Sequence, residues 1–404
     1  MNAATAGDVR ARIRAGRAGL VEATRRLVEI PTENPPGRAY PECVAALTEI
    51  LREAGLPAEV VDLTAPDGPP RAAVVSSVGS GPTLWFHGHY DVVPAQHGLF
   101  SAELRNGELA GRGSADMKGG LAAMILAAAA IRDAGAAMSG RLGLVFVPDE
   151  ETGGAGGSAA LVRAGLLGRD GIGMLSPEPT GGVAWNACRG AISLRVTVHG
   201  RHAHVGLSHA GVNAFTHMLD VAGALRKLAD EVGERRTDYA IEPAAARSSI
   251  LLLGGQAESG ANFNVVPEHC SFTVDRRLNP EEDLAEERDR LLALLDRLRG
   301  EGHEIEFEML QEEPAAGVSA EKDLARALAA AVAGVEDREL SFELCPGLLE
   351  IRFYAGLGVP AYCYGPGRLD LAHGPDEAVE VDALERCAEV YALTALDVLG
   401  TAST

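Results

Sequence analysis

Hydrophobic and polar positions in the first part of the chain follow two alternating patterns. Apolar residues recur with helical spacing over 8–30 and 40–54, and the Pro- and Gly-rich stretch 31–37 separates these two segments. Apolar runs typical of strands lie at 58–63, 72–76, 83–87 and 141–148, and a further helical segment lies at 121–133. Because helices and strands alternate in this way, the pattern predicts an α/β layered fold.

The middle of the chain has a different order of elements. The pattern predicts a strand, a helix, two strands, a helix and a strand, at 192–199, 212–232, 248–253, 270–278, 280–298 and 304–310. This is the order of a ferredoxin-like unit, in which both helices pack on one face of a four-stranded sheet. We therefore predict a main domain in two parts, 1–187 and 312–404, with a second domain, 188–311, inserted between them.

The composition excludes several classes of partner. Hydrophobic residues make up 47% of the 404 residues, which is typical of a soluble globular protein with more than one core. The formal net charge of -21 opposes binding to nucleic acid or to an anionic membrane. It also means that an anionic substrate needs local arginines to hold it.

Cysteine usage and the N-terminal sequence bear on the compartment. The six cysteines show no CxxC spacing, which favours buried thiols over disulfides or zinc ligands. The N-terminal residues contain no apolar core of a signal peptide, and the longest apolar run, 121–131, is too short to span a bilayer. We therefore expect a cytoplasmic protein.

The stretch HGHYDVVP, residues 87–94, ends an apolar strand with a histidine and a carboxylate. Side chains alternate along a strand, so His89 and Asp91 are expected on the same side. In this arrangement a metal-binding histidine meets a carboxylate that fixes its orientation. A polar turn at a strand end is the alternative interpretation of so short a motif.

Acidic residues recur at the ends of other predicted elements. Asp116 lies in the glycine-rich stretch 108–120, just before a predicted helix, where it could also be only a cap or a partner of the helix dipole. Asp149, Glu150 and Glu151 follow a predicted buried strand. Three adjacent carboxylates repel one another unless a cation absorbs their charge, which favours a metal site over a solvated turn.

The glycine-rich segment 153–159 loosely matches the fingerprint of a dinucleotide-binding loop. In that fold the strand runs straight into the glycines, without acidic residues that face a pyrophosphate. The three preceding carboxylates therefore argue against a nucleotide-dependent oxidoreductase.

Two more candidate ligands follow apolar segments. Glu178 comes after a short apolar run, and His373 follows a strand-like segment near the C-terminus. Together with His89, Asp116 and Glu151 they form a set of nitrogen and oxygen donors without thiolate, which suits zinc in an open, catalytic site. Five ligands exceed one tetrahedral zinc but fit two metals that share a bridging carboxylate.

The motifs together resemble those of the zinc amidohydrolase and peptidase family that contains aminoacylase, acetylornithine deacetylase, succinyl-diaminopimelate desuccinylase and the glutamate carboxypeptidases. They occur in family order and cover nearly the whole chain: HGHYDVVP, GRGSADMKGG, VPDEETGG, PEPT, GRHAHVG, GVNA, NVVP, DRR, YGPG and AHGPDE. The resemblance implies a zinc-exopeptidase-like catalytic domain, a mixed sheet with helices on both faces, formed by 1–187 and 312–404. It also implies that 188–311 is a ferredoxin-like dimerisation (lid) domain, and hence a homodimer.

The resemblance implies a role for each candidate ligand. His89, Asp116 and Glu178 would hold one zinc, and Asp116, Glu151 and His373 would hold the other, with Asp116 as the bridge. Cobalt or manganese could replace zinc.

Three further roles in the main domain come from the same resemblance. Asp91 would orient His89, and the peptide bond after Asp116 would be cis. Glu150 would be the general base, which takes a proton from the attacking water and passes it to the leaving amine.

In the inserted domain the resemblance implies three substrate contacts. His204 would reach the active site of the partner subunit and stabilise the tetrahedral oxyanion there. Arg277 would bind a substrate carboxylate through its planar guanidinium, with Asn264 beside it.

The chain departs from the family pattern at two positions. Glu350 stands where the family usually has Asp in a Gly-x-x-Asp pattern, which puts any borrowed substrate in doubt. His87 stands where Asn or Ser is common, and we predict that it packs near the metal ligands without binding a metal. His202 is expected to be a solvated neighbour of His204, whereas His209 stays open as a contributor.

These inferences predict a di-zinc amidohydrolase that removes an acyl group from an N-acyl amino acid. A carboxypeptidase or dipeptidase is the alternative within the same chemistry, because each cleaves an amide near a free carboxylate. A binding protein on an inactive hydrolase scaffold is disfavoured because no ligand or base position is missing. Zinc content and a panel of acylated and dipeptide substrates would separate these possibilities.

Overall fold

The computed structural model describes residues 3–66 and 68–400, which divide into two compact units. The first unit contains the described residues up to Asn186, then Val318–Glu343, and then those from Phe353 onward. The second unit contains Ala187–Gly317 and Leu344–Arg352. It extends past the predicted boundary at Gln311 because its last long strand continues to Glu313.

The described residues form ten α-helices and eighteen strands, besides short 3-10 and π-helical turns. The helices are α1 (Ala3–Ala15), α2 (Arg17–Val28), α3 (Tyr40–Glu53), α4 (Gly119–Asp133), α5 (Ser158–Arg163), α6 (Ala214–Gly233), α7 (Leu284–Gly300), α8 (Asp323–Glu336), α9 (Ile351–Gly356) and α10 (Val381–Leu399). The first nine strands are β1 (Glu59–Asp62), β2 (Ala72–Gly79), β3 (Thr83–His89), β4 (Glu103–Arg105), β5 (Glu108–Ala110), β6 (Arg141–Val147), β7 (Gly171–Ser176), β8 (Ala184–Cys188) and β9 (Gly190–His199). The others are β10 (Ala203–His204), β11 (Ile250–Ser259), β12 (Val265–Val266), β13 (His269–Leu278), β14 (Glu304–Glu313), β15 (Ala316–Gly317), β16 (Phe342–Cys345), β17 (Ala361–Cys363) and β18 (Ala378–Glu380).

The first unit is built on a mixed sheet, as predicted. Its strands lie in the order β1-β2-β6-β3-β7-β17-β8. The four central strands β6, β3, β7 and β17 run parallel to one another, whereas the pairs β1–β2, β2–β6 and β17–β8 are antiparallel. The carboxyl ends of β6, β3, β7 and β17 therefore meet at one edge, where open α/β sheets bind their ligands.

Burial in the core of the first unit explains the sequence patterns of one strand and one helix. Every residue of β3 is buried, so this strand reads as a continuous apolar run without alternation. α4 is buried on nearly all sides, and although Ser114–Asp133 is long and apolar enough to cross a membrane, almost all of it lies inside the unit. It is therefore a core helix of the domain.

The helical segment predicted over 8–30 consists of two helices. α1 ends at Ala15 and α2 begins at Arg17, with Gly16 between them. A Cβ at Gly16 would lie only 2.5 Å from Leu126 Cδ1, so the absence of a side chain permits the close approach of the chain to α4.

The second unit has the predicted element order β-α-β-β-α-β. Its main sheet runs β11-β13-β9-β14, with all neighbours antiparallel. α6 and α7 pack against it through a separate apolar core that includes Val196, Leu225, Phe272 and Leu295. This sheet is the four-stranded sheet of a ferredoxin-like unit.

β11 is longer than the predicted strand, which ended at Leu253. A register shift between Leu253 and Ala257 lets the strand continue past Gly254 and Gly255 to Ser259. Gly254 has a φ of 77°, which a glycine adopts without strain. The glycines therefore form a bulge in the strand, where the sequence pattern suggested its end.

Candidate active site

His89 is the last residue of β3, and one of its ring nitrogens already forms a hydrogen bond. Its Nδ1 lies 3.0 Å from the main-chain oxygen of Asp91, which can only accept a hydrogen bond. Nδ1 therefore carries the proton, and Nε2 is left with its lone pair for a metal ion or another donor. The Asp91 carboxylate itself is farther away, with Oδ1 at 3.5 Å from Nδ1.

Asp116 lies in the turn that precedes α4, and its two carboxylate oxygens face different partners. Oδ1 is 3.2 Å from His89 Nε2, and Oδ2 is 3.3 Å from His373 Nε2. The side chain is buried, and the peptide bond from Asp116 to Met117 is cis, as predicted.

The remaining candidate ligands complete two groups around Asp116. Glu178 Oε2 is 4.0 Å from His89 Nε2, and Glu151 Oε2 is 3.2 Å from His373 Nε2. One group is thus His89, Glu178 and one oxygen of Asp116, and the other is His373, Glu151 and the second oxygen. The structure brings together all five residues that the sequence singles out as ligands.

These donors fit a metal ion in spacing and in chemistry. Bonds of about 2.0–2.1 Å in a tetrahedral arrangement put neighbouring zinc ligands about 3.3 Å apart. The contacts between the two histidines and Asp116 or Glu151 measure 3.2–3.3 Å. Glu151 Oε1 is buried and has no hydrogen-bond partner among the described residues, which is costly for a carboxylate unless a cation lies against it.

Glu150 lies beside the ligands without joining either group. Its Oε2 is 3.9 Å from His89 Nε2, and its side chain is largely buried. The Asp91 carboxylate accepts hydrogen bonds from the backbone N–H groups of Glu150 (3.2 Å) and Glu151 (3.1 Å). Asp91 therefore connects the end of β3 to the turn after β6 that carries both glutamates.

Comparison with known proteins decides which family this geometry belongs to. The model of peptidase family M20/M25/M40 matches residues 85–397, which include every one of the residues above. The chain belongs to this family. It is accordingly a metal-dependent hydrolase that acts on amide bonds.

Solved structures of similar proteins agree in fold. A dipeptidase from Saccharomyces cerevisiae has 17% sequence identity and a TM-score of 0.76, over 98% of this chain and 99% of that one. A metallo-carboxypeptidase of the M20 family from Sulfolobus solfataricus has 17% identity and a TM-score of 0.75, over 94% of this chain and 99% of that one. A dinuclear metal-binding M20 peptidase from Bacillus subtilis has 16% identity and a TM-score of 0.69, over 96% and 100% of the two chains.

The electrostatics of this M20-family site favour positive charge between the carboxylates. Burial alone would lower the pKa of His89, but hydrogen bonds with Asp116 and Asp91 outweigh burial and raise the pKa well above its usual value. Hydrogen bonds with Asp116 and Glu151 raise the pKa of His373 to about 10. Burial would raise the pKa of Asp116, yet the two histidines lower it. The same field would hold a metal cation in place of these protons.

Several residues that support the turn after β6 were not singled out from the sequence. Asn34 Nδ2 donates to Asp91 Oδ2 at 2.8 Å and to Thr152 Oγ1 at 2.9 Å. Asp149 is buried and accepts hydrogen bonds from Tyr40 Oη (3.0 Å) and Arg71 Nε (2.5 Å). Asp149 is thus engaged in holding the backbone, at a φ of 69°, and does not act as a third free carboxylate.

A second support organises the loop that ends in Asp116. Glu377 is buried, and its Oε1 accepts hydrogen bonds from the backbone N–H groups of Gly113 (2.9 Å), Ala115 (3.1 Å) and Asp116 (3.1 Å). Its other oxygen pairs with Arg112, which also donates to the main-chain oxygen of His373 at 2.9 Å. The pair Glu377–Arg112 therefore ties two ligand-bearing loops together.

The other residues that the sequence singles out lie outside the cluster of metal ligands, some in the first unit and some in the second. His87 is buried in the first unit, with Nδ1 3.0 Å from Tyr354 Oη and Nε2 3.3 Å from Ser158 Oγ, which agrees with a packing role. His204, Asn264 and Arg277 belong to the second unit, as do His202, His209 and the buried Glu350. The substrate contacts expected of His204, Asn264 and Arg277 stay predictions.

Proposed function

We propose that this chain is a two-zinc amidohydrolase that removes the acyl group from an N-acyl amino acid. One observation carries the proposal: the two oxygens of Asp116 face two donor groups, His89 with Glu178 and His373 with Glu151. A carboxylate shared in this way is the usual bridge of a two-metal site. Cobalt or manganese would be acceptable substitutes for zinc at such ligands.

Glu150 is the proposed general base. Zinc held by the two groups would polarise the amide carbonyl and make water more acidic. Glu150 lies within 3.9 Å of His89 Nε2, so its carboxylate reaches the space beside the ligands. It would take a proton from the attacking water and deliver it to the nitrogen of the scissile amide, which then leaves as a free amine.

His204 is the proposed donor to the oxyanion, acting in the site of the partner subunit of a homodimer. The side chain is exposed, and its Nδ1 accepts a hydrogen bond of 3.1 Å from the backbone N–H of Gly206. This bond places the proton of a neutral ring on Nε2. An imidazole in this state presents an N–H to a developing negative oxygen, which is the role proposed for it.

Arg277 is the proposed partner of the substrate carboxylate. Its neighbour Arg276 is buried and held by Glu282 and Glu287, so it has a structural role. Arg277 is about a third exposed and pairs with Asp275 through Nε (2.6 Å) and Nη2 (3.0 Å). Its Nη1 is not used in this pair and supplies donors for a carboxylate.

A carboxypeptidase or dipeptidase is the second candidate, and it fits the comparisons equally well. The matching family is one of peptidases, and the similar structures include a dipeptidase and a metallo-carboxypeptidase. Both activities need the same metal ligands, the same base and a group that binds a free carboxylate. The two candidates therefore differ only in what lies on the acyl side of the scissile bond.

A substrate panel with metal control tests both candidates. The purified protein, which we propose to be a cytoplasmic homodimer, would be assayed with N-acetyl, N-formyl and N-succinyl amino acids and with dipeptides, before and after chelation. We expect chelation to abolish hydrolysis and zinc to restore it, and Glu151→Ala or His373→Ala to lose mainly one metal while Asp116→Ala loses both. Hydrolysis of dipeptides alone would decide for the peptidase, and full activity of metal-free protein would refute the whole proposal.

A further inference from the structure

A cavity of about 250 Å³ lies in the first unit, separate from the metal-ligand cluster. Its lining includes the loop 364–368, the first turns of α10 and the end of α8. The charged side chains of the lining are three arginines and three glutamates: Arg338, Arg368, Arg386, Glu108, Glu336 and Glu380. The cavity is therefore neutral in sum but contains both signs of charge.

Arg386 differs from the other two arginines in its lack of close partners. Arg338 Nε donates to Glu336 at 2.6 Å, and Arg368 donates to Asp370 at 3.1 and 2.6 Å. The guanidinium of Arg386 makes no hydrogen bond among the described residues, and its nearest carboxylates are Glu336 at 3.8 Å and Glu380 at 3.6 Å. All its donors are thus available to an anion that enters the cavity.

Neither nearby glutamate needs Arg386 as its main partner. Glu336 is satisfied by Tyr364 Oη at 2.6 Å and by Arg338 at 2.6 Å. Glu380 is mostly exposed, and the one ion pair that it forms among the described residues is with Arg386, at 3.6 Å and so beyond hydrogen-bond distance. The cavity therefore presents the guanidinium of Arg386 beside the carboxylate of Glu380, both with open hydrogen-bonding capacity.

We propose that this cavity binds a free α-amino acid with a small apolar side chain. The ligand's carboxylate would pair with Arg386 and its ammonium with Glu380, since each needs a partner of opposite charge. Leu371, Val379 and Ala383 provide apolar lining for the side chain. The volume lies below the range of about 300–1,000 Å³ that is common for larger ligands, which favours one amino acid over a peptide.

The cavity shares a wall with the segment that carries Glu178. Gly181 and Gly182 line the cavity, and the backbone N–H of Gly181 donates to Gly367 O at 2.9 Å. A Cβ at Gly365 would lie 2.2 Å from the main-chain oxygen of Glu178, so the loop packs directly on that segment. The site is nevertheless formed by its own residues, and the proposal holds whichever amide the enzyme cleaves.

Hydrogen exchange read out by mass spectrometry tests the proposal because it locates the bound ligand. The full-length, metal-loaded protein would be exposed to saturating L-valine. We expect slower amide exchange in 364–371 and 378–387, and no such change with isobutylamine or isobutyrate, each of which lacks one of the two charges.

Variants assign the effect to the two charges. Arg386→Gln and Glu380→Gln should each weaken the valine effect by about tenfold or more, the worth of one charge-assisted contact. Arg25→Gln is the matched control, since Arg25 is a similarly exposed helical arginine that pairs with Glu22 and Glu29. It should bind valine normally.

Three results would overturn the proposal. Valine could slow exchange only near 87–93, 148–153 and 372–374, which would place it at the metal-ligand cluster. The effect could persist in both pocket variants, or no segment could respond to any small apolar amino acid. None of these results bears on hydrolysis, which the substrate panel tests separately.

Discussion

The backbone N–H of Glu151 donates a hydrogen bond of 3.1 Å to the carboxylate of Asp91, 60 positions earlier in the chain. The neighbouring N–H of Glu150 donates to the other oxygen of the same carboxylate at 3.2 Å. One side chain at the end of β3 therefore fixes both the proposed base and a proposed ligand after β6. His89, in contrast, is oriented by the main-chain oxygen of Asp91.

Replacing Asp91 by Asn tests this connection. The amide keeps one acceptor oxygen but turns an NH₂ group towards a backbone N–H, so one of the two bonds is lost. We expect kcat/KM or metal affinity to fall about 10–100-fold, as is usual for groups that orient metal ligands. Asp133→Asn, an exposed position at the end of α4, is the control. Unchanged kinetics and metal content in Asp91→Asn would show that the turn holds its shape without this carboxylate.

Glu150→Gln tests the proposed base. Glutamine keeps the size of the side chain but cannot accept the proton, so we expect a rate loss on the order of 10²–10⁴-fold with nearly unchanged metal content. Asp149 would have been the obvious substitute from the sequence, but Arg71 and Tyr40 hold its carboxylate. Near-normal turnover of Glu150→Gln would assign the role of base to a different residue.

Arg277→Lys tests the proposed carboxylate contact. An ammonium cannot reproduce the planar, two-point geometry of a guanidinium, so the variant should lose activity towards substrates with a free carboxylate. Amidated substrates should be poor for the native enzyme and lose little more in the variant. An equal penalty for acid and amide substrates in steady-state assays would remove this role from Arg277.

The stability of the second unit should depend on Glu282 in a pH-dependent way. Burial would raise the pKa of Glu282, but hydrogen bonds from Ser249 and the Asn279 N–H, together with Arg276, lower it. A depressed pKa stabilises the folded state above the unfolded pKa of about 4.3, and this stability is lost as the pH falls through the folded pKa.

Glu282→Gln should therefore destabilise the protein by about 3 kcal/mol at pH 7, because buried Arg276 loses a charged partner. The difference from the native protein should shrink as the pH falls from the unfolded pKa of about 4.3 through the lower pKa of Glu282 in the folded protein. Thermal unfolding over this pH range measures the difference, with Glu286→Gln, in the first turn of α7, as the control. A stability difference that is independent of pH would contradict a lowered pKa of Glu282 in the folded protein.

The metal ligands were predictable because each stands at the end of an apolar run, and parallel strands bring their carboxyl ends to one edge. The residues that hold these ligands in place could not be predicted in the same way. Glu377 binds the backbone of Gly113, Ala115 and Asp116 across more than 260 positions of sequence, and no local pattern reveals such a contact. The same holds for the hydrogen bond that Asn34 donates to Asp91.

Secondary structure shows the same limit. The apolar spacing over 8–30 predicted one helical segment, but Gly16, which closely approaches Leu126 of α4, separates α1 from α2. In β11 the pair Gly254–Gly255 suggested an end, whereas the neighbouring strand β13 carries the pairing on across a bulge. In both cases tertiary packing decides what the local pattern leaves open.

A mixing experiment tests the predicted homodimer and the action of His204 in the partner's site. An edge strand such as β11, which exposes Ile250 and Leu252, is protected when a second copy pairs with or covers it. If His204 acts only in the partner's site, Glu150→Ala and His204→Ala proteins should each be nearly inactive. The first variant lacks the base in both sites, and the second lacks the oxyanion donor in both.

Unfolding and refolding the two variants together should produce roughly half heterodimers, by random two-fold assortment. In each heterodimer one site combines an intact Glu150 with an intact His204 from the other chain, while the opposite site lacks both. Recovered activity should therefore approach about a quarter of the native value, by the same counting. Each variant refolded alone is the control, and mass spectrometry of differently tagged chains counts the heterodimers. If heterodimers form and the mixture stays as inactive as its parents, His204 acts within its own chain or takes no part in the reaction.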